Sequence, residues 1–379
     1  MKRRPLSFQS VFHWIVLIST IGLFLLAAFV YWQCSEDVHR SGSYISMKHS
    51  QKQVMIYTAT PFFDVPITNS VLKRCPPDVQ KFCYVTSDIS HISKPSAIVF
   101  HSRDFDEIKM LSFIKQFKRN CTVPYVLLAL ESPFYAWLHP YKHFFNWTMT
   151  YRMDSDVYFP YGGLVRRKKV MKIDYEEIWS SKNRMALWLV SNQVNTGNKR
   201  KELVEKMVKE GLDVDLFGAL YRVPPGCPRV GQNEECEMEL HRPYKFTIAF
   251  ENNNCKNYVT EKFWRKVVRY QMVPIVMKRK TYRDIGIPDL MYIAVDDFGT
   301  LKELVSHIKK ASANKTAYLE YHKWREEFRI VDTNEENFGY CNLCRKLLNF
   351  NGNPKKSYEN MAKWFNESLC DNSFADRYL

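Results

Sequence analysis

Residues 246–277 of this chain read FTIAFENNNCKNYVTEKFWRKVVRYQMVPIVM and decide its fold. The first five and the last five of these residues are apolar runs rich in strand formers, and residues 258–270 between them follow a helical pattern. The helix has an apolar face and a charged remainder: Phe263, Trp264, Val267 and Val268 against Glu261, Lys262, Arg265 and Lys266. A strand, a helix and a second strand in this order predict a parallel βαβ unit.

The polar residues of this unit lie where parallel sheets bind their ligands. Such sheets bind ligands outside the carboxyl ends of their strands, and Glu251 and Asn252 directly follow the first strand. The start of the helix near Thr260 presents unpaired N–H groups and a partial positive charge, which favours a phosphate. The pattern therefore predicts a nucleotide site, without naming the nucleotide.

The amino-acid identities, beyond the pattern of apolar and polar residues, add a resemblance to a known family. FEN at 250–252, YVTEKFWR at 258–265 and VPIV at 273–276 resemble the signature of the α1,3-fucosyltransferases, glycosyltransferase family 10. Further stretches are similar to other landmarks of that family: LESP at 130–133, FNWTMTYRMDSDVYFPYG at 145–162, VDDF at 295–298, YHKWRE at 321–326 and CNLC at 341–344. Asn253 and Asn257 depart from the family pattern, which usually has Ser and Asp there.

The resemblance implies the GT-B architecture, an α/β fold with two Rossmann-like domains facing a cleft, preceded by a single transmembrane helix. The order of apolar runs and helical segments from residue 54 onwards fits this fold. We predict an N-terminal, acceptor-side domain at 54–170, a C-terminal GDP-fucose-binding domain at 171–345 and a cysteine-containing extension at 346–379. The predicted strands are 54–60, 82–86, 97–101, 125–130, 185–190, 214–217, 246–250 and 273–277, and the predicted helices are 104–118, 198–210, 258–270 and 301–311.

The N-terminal residues predict a membrane anchor. Residues 11–31 hold no Asp, Glu, Lys or Arg, and a helix of this length spans about 31 Å, enough to cross a bilayer core. Three basic residues precede it, which keeps the N-terminus cytosolic. We therefore predict a cytosolic tail at 1–10, a signal anchor at 11–32 and a stem at 33–53. A cleaved signal peptide is the alternative. With the resemblance, this topology implies a single-pass type II Golgi membrane protein with a luminal catalytic domain.

Cysteines and glycosylation sequons also indicate the secretory lumen. The chain has ten cysteines, and an oxidising compartment favours disulfides. Cys341 and Cys344 could form half of a zinc site, but no second Cys or His pair follows at the usual spacing, so we predict a disulfide between them. The other pairings cannot be deduced, and Cys255 stays open between a free and a paired thiol. Four sequons predict N-glycosylation at Asn120, Asn146, Asn314 and Asn366.

A formal charge of +15 raises the question of a nucleic-acid partner. The basic residues are scattered, with short runs only at 166–169 and 278–280, so we predict no nucleic-acid binding. A solvated basic face is one explanation of the charge. Attraction of an anionic nucleotide sugar is the other.

By resemblance, the donor GDP-fucose binds the C-terminal domain. Glu261 would contact the ribose hydroxyls, and Lys262 and Arg200 would hold the diphosphate, to which charge-assisted hydrogen bonds are suited. Glu251, Asn252 and Tyr258 complete the predicted donor site. The alternative is that Glu261 and Lys262 are solvated residues of a first helical turn, where the helix dipole favours Glu.

Two acidic features are candidates for the remaining chemistry. Glu131 ends the apolar run 125–130, which places a carboxylate at a strand's carboxyl end, and we predict that it is the catalytic base; a capping role is the alternative. Asp154 and Asp156 form a D-x-D pattern whose carboxylates suit Mg²⁺ or Mn²⁺. The family is not known for a metal bound there, so we predict a structural role for this pair, no metal site and no required cofactor, with a divalent cation at most stimulatory.

The resemblance implies inverting transfer of fucose from GDP-fucose, in α1,3 linkage, to N-acetylglucosamine of glycans. The acceptor class stays open between the N-glycan core and Lewis-type glycans. Two other functions remain: a fucosyltransferase with a polypeptide acceptor, and a catalytically silent glycan-binding relative. The expected partners are GDP-fucose, a glycan or glycoprotein acceptor and the Golgi membrane.

Overall fold

The computed structural model describes residues 53–190, 196–228, 234–333, 336, 338–366 and 370–379. The predicted cytosolic tail, the signal anchor and all but the last residue of the stem lie outside the described residues. Among the helices within those ranges, none has both the length and the apolar character of a membrane span.

The strands and helices alternate through most of the chain. The strands are β1 Val54–Thr58, β2 Cys83–Thr86, β3 Ala97–His101, β4 Tyr125–Ala129, β5 Trp147–Thr150, β6 Val157–Tyr158, β7 Gly162–Arg166, β8 Arg184–Val190, β9 Val214–Gly218, β10 Tyr244–Ile248, β11 Val273–Val276, β12 Ile293–Ala294 and β13 Phe328–Asp332. The helices are α1 Pro77–Phe82, α2 Glu107–Gln116, α3 Pro133–Ala136, α4 Tyr175–Ser180, α5 Arg200–Lys209, α6 Glu234–His241, α7 Glu261–Tyr270, α8 Arg279–Arg283, α9 Leu301–Ala313, α10 Lys315–Glu320, α11 Trp324–Glu327, α12 Phe338–Leu348 and α13 Met361–Asn366. Every strand and helix predicted from sequence is present, with ends that differ by a few residues.

The chain divides into two compact units that are discontinuous in sequence. The first unit comprises the described residues of Met1–Ala129, Ala136–Met149 and Tyr340–Glu367, and the second comprises those of Leu130–Tyr135, Thr150–Gly339 and Ser368–Leu379. Each unit contains parallel strands and helices, so the predicted α/β class is confirmed. The GT-B arrangement itself stays a prediction.

The first unit is built on a parallel sheet. β2, β1, β3 and β4 pair in parallel in that order, and β5 follows β4. All five residues of β3 and of β4 are buried, as expected for strands covered on both faces. Aromatic rings fill the core around Phe100, whose centroid lies 4.6 Å from that of Phe105 and 5.4 Å from that of Phe144.

Two disulfides join α12 to the rest of the first unit. Cys341 pairs with Cys75 and Cys344 pairs with Cys83, so the predicted disulfide between Cys341 and Cys344 is wrong. Both cysteines lie on α12, where residues three apart share a face, and that face is buried against α1 and the start of β2. A shared face turns both thiols toward the same neighbouring segment rather than toward each other.

The second unit has its own five-stranded parallel sheet. Its order is β12, β11, β10, β8 and β9, and β13 pairs with β7 in a separate antiparallel ribbon that sequence analysis did not predict. α7 buries the predicted apolar face, since Phe263 and Val267 are at most 1% exposed. Trp264 packs so close to β7 that a Cβ on Gly162 would lie 2.6 Å from its ring. Only glycine fits this contact.

Three of the predicted glycosylation sites are exposed, and one is not. Asn120, Asn314 and Asn366 are exposed. Asn146 is only 6% exposed; its side-chain amide donates to the Lys356 carbonyl at 3.0 Å and its oxygen accepts from the Tyr125 N–H at 3.0 Å. A glycan on this nitrogen would break a buried hydrogen bond, so the folded unit disfavours a glycan at Asn146, while glycosylation at the other three sites stays a prediction.

Candidate functional site

The site is centred on Glu251, which follows the carboxyl end of β10. Glu251 is 4% exposed, and its carboxylate accepts hydrogen bonds from the Thr260 backbone N–H at 2.7 Å and from the Thr260 hydroxyl at 2.7 Å. Thr260 is also the N-cap of α7. The carboxylate therefore fixes the start of α7 against the end of β10, where a βαβ unit binds its ligand.

Lys262 extends from the first turn of α7 toward two carboxylates. Its ammonium lies 3.5 Å from the Glu251 carboxylate and 3.1 Å from that of Glu261. Burial lowers the pKa of Lys262, but these two carboxylates more than offset burial, so the pKa lies above its ordinary value. The side chain of Lys262 is 33% exposed, so its charge can reach a ligand. Glu261 is 57% exposed, as expected for a group that meets a ligand or solvent.

Arg200 supplies a second cation at the same place. Arg200 is the first residue of α5 and is 4% exposed, and its guanidinium donates to the Phe250 carbonyl at 3.1 Å. Burial lowers its pKa, and the nearby charges of Glu251 and Glu261 oppose that shift. The side-chain amide of Asn198 donates to the Glu251 carbonyl at 2.9 Å. The backbone carbonyls of Phe250 and Glu251, which follow β10, thus accept hydrogen bonds from the side chains at the start of α5.

The asparagine loop, residues 252–254, contains two buried polar side-chain atoms that have no hydrogen-bond partner among the described residues. Asn252 Oδ1 and Asn254 Nδ2 are buried and have no hydrogen-bond partner within the described part of the chain. A buried unpaired polar group costs about 1–3 kcal/mol, so such atoms call for an explanation. Asn253 differs, because its amide donates to the Ser132 hydroxyl at 2.9 Å. A polar ligand would satisfy the first two.

Glu131 lies with these residues in the second unit, although sequence analysis assigns it to the N-terminal domain. The Tyr258 hydroxyl donates to the Glu131 carboxylate at 3.4 Å, and the Tyr161 hydroxyl donates to the neighbouring Leu130 carbonyl at 2.8 Å. Burial raises the pKa of Tyr258 well above its ordinary value, with Tyr161 and Glu131 adding to the shift. Tyr258 therefore stays a hydroxyl that orients Glu131.

The Asp154 carboxylate is paired with the Arg152 guanidinium. Its carboxylate accepts two hydrogen bonds from the Arg152 guanidinium, at 2.8 and 2.7 Å. This bidentate pair, led by the hydrogen bonds, lowers the pKa of Asp154. Within the described ranges, no group of three or more His, Cys, Asp or Glu residues is placed to hold a metal ion. The pairing with Arg152 favours a structural role for Asp154.

Two residues near the C-terminus, Cys370 and Asp371, are bonded to the asparagine loop and to Cys255 directly after it. Cys255 forms a disulfide with Cys370, which answers the question about the Cys255 thiol, and the Asp371 N–H donates to the Asn254 carbonyl at 2.9 Å. The Asp371 carboxylate accepts from Lys278 at 2.8 Å. Phe374 is fully buried in the core of the second unit. The end of the chain is therefore part of the site's framework.

Thr260 and Asn198 organise the site, although sequence analysis did not include them among the predicted site residues. Thr260 bonds both Glu251 and Lys262, and its place as a Thr directly before an apolar-periodic helix is an N-cap signal that sequence can give. Asn198 is fully buried, and no local pattern identifies its partner 53 residues away. The predicted donor residues Arg200, Glu251, Asn252, Tyr258, Glu261 and Lys262 all lie in this unit.

Comparisons with known proteins identify the family of the chain. The family model described as fucosyltransferase, N-terminal, matches residues 49–162, and that described as glycosyltransferase family 10 (fucosyltransferase) C-term matches residues 179–364. Alpha-(1,3)-fucosyltransferase fut-5 of Caenorhabditis elegans is 53% identical over 341 residues, 89% of each chain. Alpha-(1,3)-fucosyltransferase fut-6 of the same organism is 41% identical, over 86% of this chain and 84% of its own.

More distant relatives cover most of the chain as well. Alpha-(1,3)-fucosyltransferase 7 of Rattus norvegicus is 31% identical over 75% of this chain and 72% of its own. The C-terminal family model covers Glu251 and α7, and the N-terminal model covers Glu131. The chain therefore belongs to glycosyltransferase family 10, the fucosyltransferases.

Proposed function

We propose that this protein transfers fucose from GDP-fucose, with inversion, in α1,3 linkage to N-acetylglucosamine of glycans. The observation that carries the proposal is the placement of two cations at the residues that follow β10: the Lys262 ammonium lies 3.5 Å from the Glu251 carboxylate, and the Arg200 guanidinium donates to the Phe250 carbonyl at 3.1 Å. Two cations at the carboxyl end of a parallel strand suit the two phosphates of a nucleoside diphosphate. The names of the relatives support the α1,3 linkage.

The site residues can divide the work of a single displacement. Lys262 and Arg200 would stabilise the charge that develops on the departing diphosphate. Glu131 would accept the proton of the acceptor hydroxyl as that oxygen forms its bond to the fucose carbon and the bond to GDP breaks. Tyr258 holds the Glu131 carboxylate by a hydrogen bond. Inversion follows because one displacement changes the configuration once.

An acceptor panel tests this function directly. The purified luminal part should transfer labelled fucose from GDP-fucose to glycans that carry N-acetylglucosamine, and should not use GDP-mannose. Transfer to a polypeptide alone would favour the polypeptide acceptor. Binding of glycans with no transfer to any acceptor would favour the silent relative. Product linkage, read by NMR, would decide between α1,3 and other linkages.

Nucleotide binding should depend on Lys262. Replacing Lys262 by Ala should weaken GDP binding by about 1.5–3 kcal/mol, because a charge-assisted hydrogen bond to the diphosphate is lost. Calorimetry with GDP measures the change. Lys280→Ala is a matched control, since the Lys280 ammonium is 78% exposed and pairs with Asp284.

Unchanged GDP affinity in a folded Lys262→Ala protein would favour the alternative, in which Lys262 is a solvated residue of the first helical turn.

A parallel substitution tests the ribose contact. Glu261→Ala should weaken GDP, yet leave the affinity for 2′,3′-dideoxy-GDP unaltered, because only the ribose hydroxyls are proposed to meet this carboxylate.

The proposal includes a Golgi membrane location with a type II anchor at 11–32. A truncated protein that starts near Ser41, behind a cleavable signal, should be secreted as a soluble, glycosylated and active enzyme, because the charge-free span would be the sole anchor. Full-length protein that appears in the medium, trimmed near residue 32, would favour the cleaved signal peptide.

The prediction on cations is tested by adding Mn²⁺ or Mg²⁺ to the enzyme after chelation and measuring whether the rate of fucose transfer rises.

A further inference from the structure

The two basic runs of the chain differ in the partners of their cations. In the run 278–280, each cation has a carboxylate partner: Lys278 pairs with Asp371, Arg279 with Asp297 and Lys280 with Asp284. The run 166–169 continues to Lys172, and we call residues 166–172 the basic segment. Among the residues that the structure describes, only Arg166 of this segment has a carboxylate partner, Glu327 at 2.9 Å. The protein therefore leaves most of this charge without a counter-charge.

The basic segment presents its lysines to solvent. Lys168, Lys169 and Lys172 are exposed, and none of the three has a hydrogen bond or an ion pair with another described residue. Three like charges so close along the chain repel one another. A bound anion would relieve this repulsion.

Backbone hydrogen bonds fix the basic segment beside α11. The Arg167 N–H donates to the Glu327 carbonyl at 2.7 Å, and the Met171 N–H donates to the Glu326 carbonyl at 2.9 Å. The backbone of the segment is thus ordered before a ligand arrives, which lowers the entropy that binding would cost.

A cavity of about 530 Å³ adjoins the basic segment, and two guanidinium groups line it, those of Arg167 and Arg325. Both donate to neutral groups: Arg167 to the Arg325 and Phe328 carbonyls, and Arg325 to the Val267 carbonyl and to His322. Neither has a carboxylate partner within the described ranges. Burial, with a smaller contribution from the charge of Arg167, lowers the pKa of Arg325 to about 10. An anion in the cavity would supply the missing counter-charge.

Cations outnumber carboxylates in the lining of this cavity. Its charged lining residues are Arg167, Lys172, Arg325 and Arg329 against Asp174 and Glu177. The Asp174 carboxylate is already engaged, because it accepts from the Glu177 N–H as the N-cap of α4. The cavity therefore favours an anionic ligand.

The cavity and the donor residues lie at opposite ends of α7. Gln271, which follows the last residue of α7, lines the cavity, whereas Lys262 lies in the first turn. A helix of ten residues is about 15 Å long. A ligand in the cavity would therefore leave the predicted donor site free.

The chemistry of the basic segment selects a linear chain with anionic groups at intervals. Such a chain forms several weak ion pairs at once with neighbouring lysines. The cavity suits a group that projects from the chain, such as a sulfate on a sugar ring, since guanidiniums bind oxyanions well. A flat bilayer surface would meet the lysines but would not enter the cavity. Short runs of Lys and Arg are typical of patches that bind nucleic acid or heparin, and the proposed luminal location favours the glycan.

We propose that the basic segment and the adjoining cavity form a docking site for a sulfated glycan chain. Lys168, Lys169 and Lys172 pair with sulfates along the chain, and Arg167 and Arg325 bind a sulfate that enters the cavity. This site is separate from the proposed site of fucose transfer, and it does not depend on that function.

Binding of a heparin dodecasaccharide to the full-length protein in detergent tests the docking site. The triple variant Lys168→Gln, Lys169→Gln, Lys172→Gln should raise the dissociation constant about tenfold at low salt, because three exposed ion pairs are lost. Its affinity should also fall less steeply as salt is added. Tm and GDP affinity should match wild type, which shows that the variant is folded. Hydrogen–deuterium exchange with the dodecasaccharide should slow in the basic segment and in residues 324–330, which border the cavity.

The control variant removes the same charge elsewhere in the second unit. It combines Lys302→Gln, Lys309→Gln and Lys310→Gln, three exposed lysines of α9, and should bind the dodecasaccharide like wild type. Equal losses in both triple variants would show an effect of net charge alone and overturn the proposal. An unchanged dissociation constant of the first variant would overturn it too. So would tighter binding to single-stranded DNA of equal charge, or binding to phosphatidylserine vesicles without binding to heparin.

Discussion

Replacing Glu131 by Gln should lower turnover by about 10² to 10⁴, the usual worth of a positioned general base. Gln is nearly isosteric, and its amide oxygen can still accept the hydrogen bond that Tyr258 donates to Glu131. GDP affinity should therefore stay within about twofold of wild type, while kcat falls. Single-turnover transfer assays and GDP calorimetry on the same protein separate the two effects.

Asp154→Asn provides the control for Glu131. It removes one carboxylate by the same isosteric change, and Asp154 is held by the bidentate pair with Arg152, so we expect little loss of turnover. Near wild-type turnover in a folded Glu131→Gln protein would place the base elsewhere. Asp154, Asp156 and Glu251 are then the next candidates.

Much of the fold follows from local sequence patterns. The burial of Phe263 and Val267 repeats the apolar spacing of α7, and β3 and β4 are buried along their whole length, as their apolar runs predict. The cluster of polar residues around Glu251 follows for the same reason. Glu251 and the start of α7 belong to one βαβ unit, so short-range spacing brings them together.

The features that sequence analysis missed depend on contacts between distant residues. Cys341 and Cys344 pair with cysteines 266 and 261 residues away, and no local spacing specifies such a partner. The sequon at Asn146 is a local pattern, and it does not reveal that the Asn146 amide donates to a carbonyl 210 residues away. Phe63 and Asp64 form a turn between Phe62 and Val65 with positive φ at both residues, and a turn that places Phe in this conformation has no usual sequence signal.

Glu251→Ala should have the largest effect on the stability of the second unit. It leaves the Thr260 N–H without its acceptor and removes the buried partner of Lys262. A buried donor left without an acceptor costs about 1–3 kcal/mol. Hydrogen–deuterium exchange should show faster exchange of the first turn of α7, and GDP affinity should fall with it.

Glu251→Gln separates the hydrogen bonds from the charge. Burial raises the pKa of Glu251, although Lys262 opposes that shift. The folded unit therefore disfavours the charged carboxylate. The resulting loss of stability grows as the pH rises from the pKa of the unfolded chain to the pKa of the folded one. Gln keeps an oxygen for Thr260 and carries no charge. It should therefore cost far less than Ala, with exchange in α7 close to wild type. Equal losses for Gln and Ala would mean that the ion pair with Lys262, rather than the hydrogen bonds to Thr260, holds the start of α7.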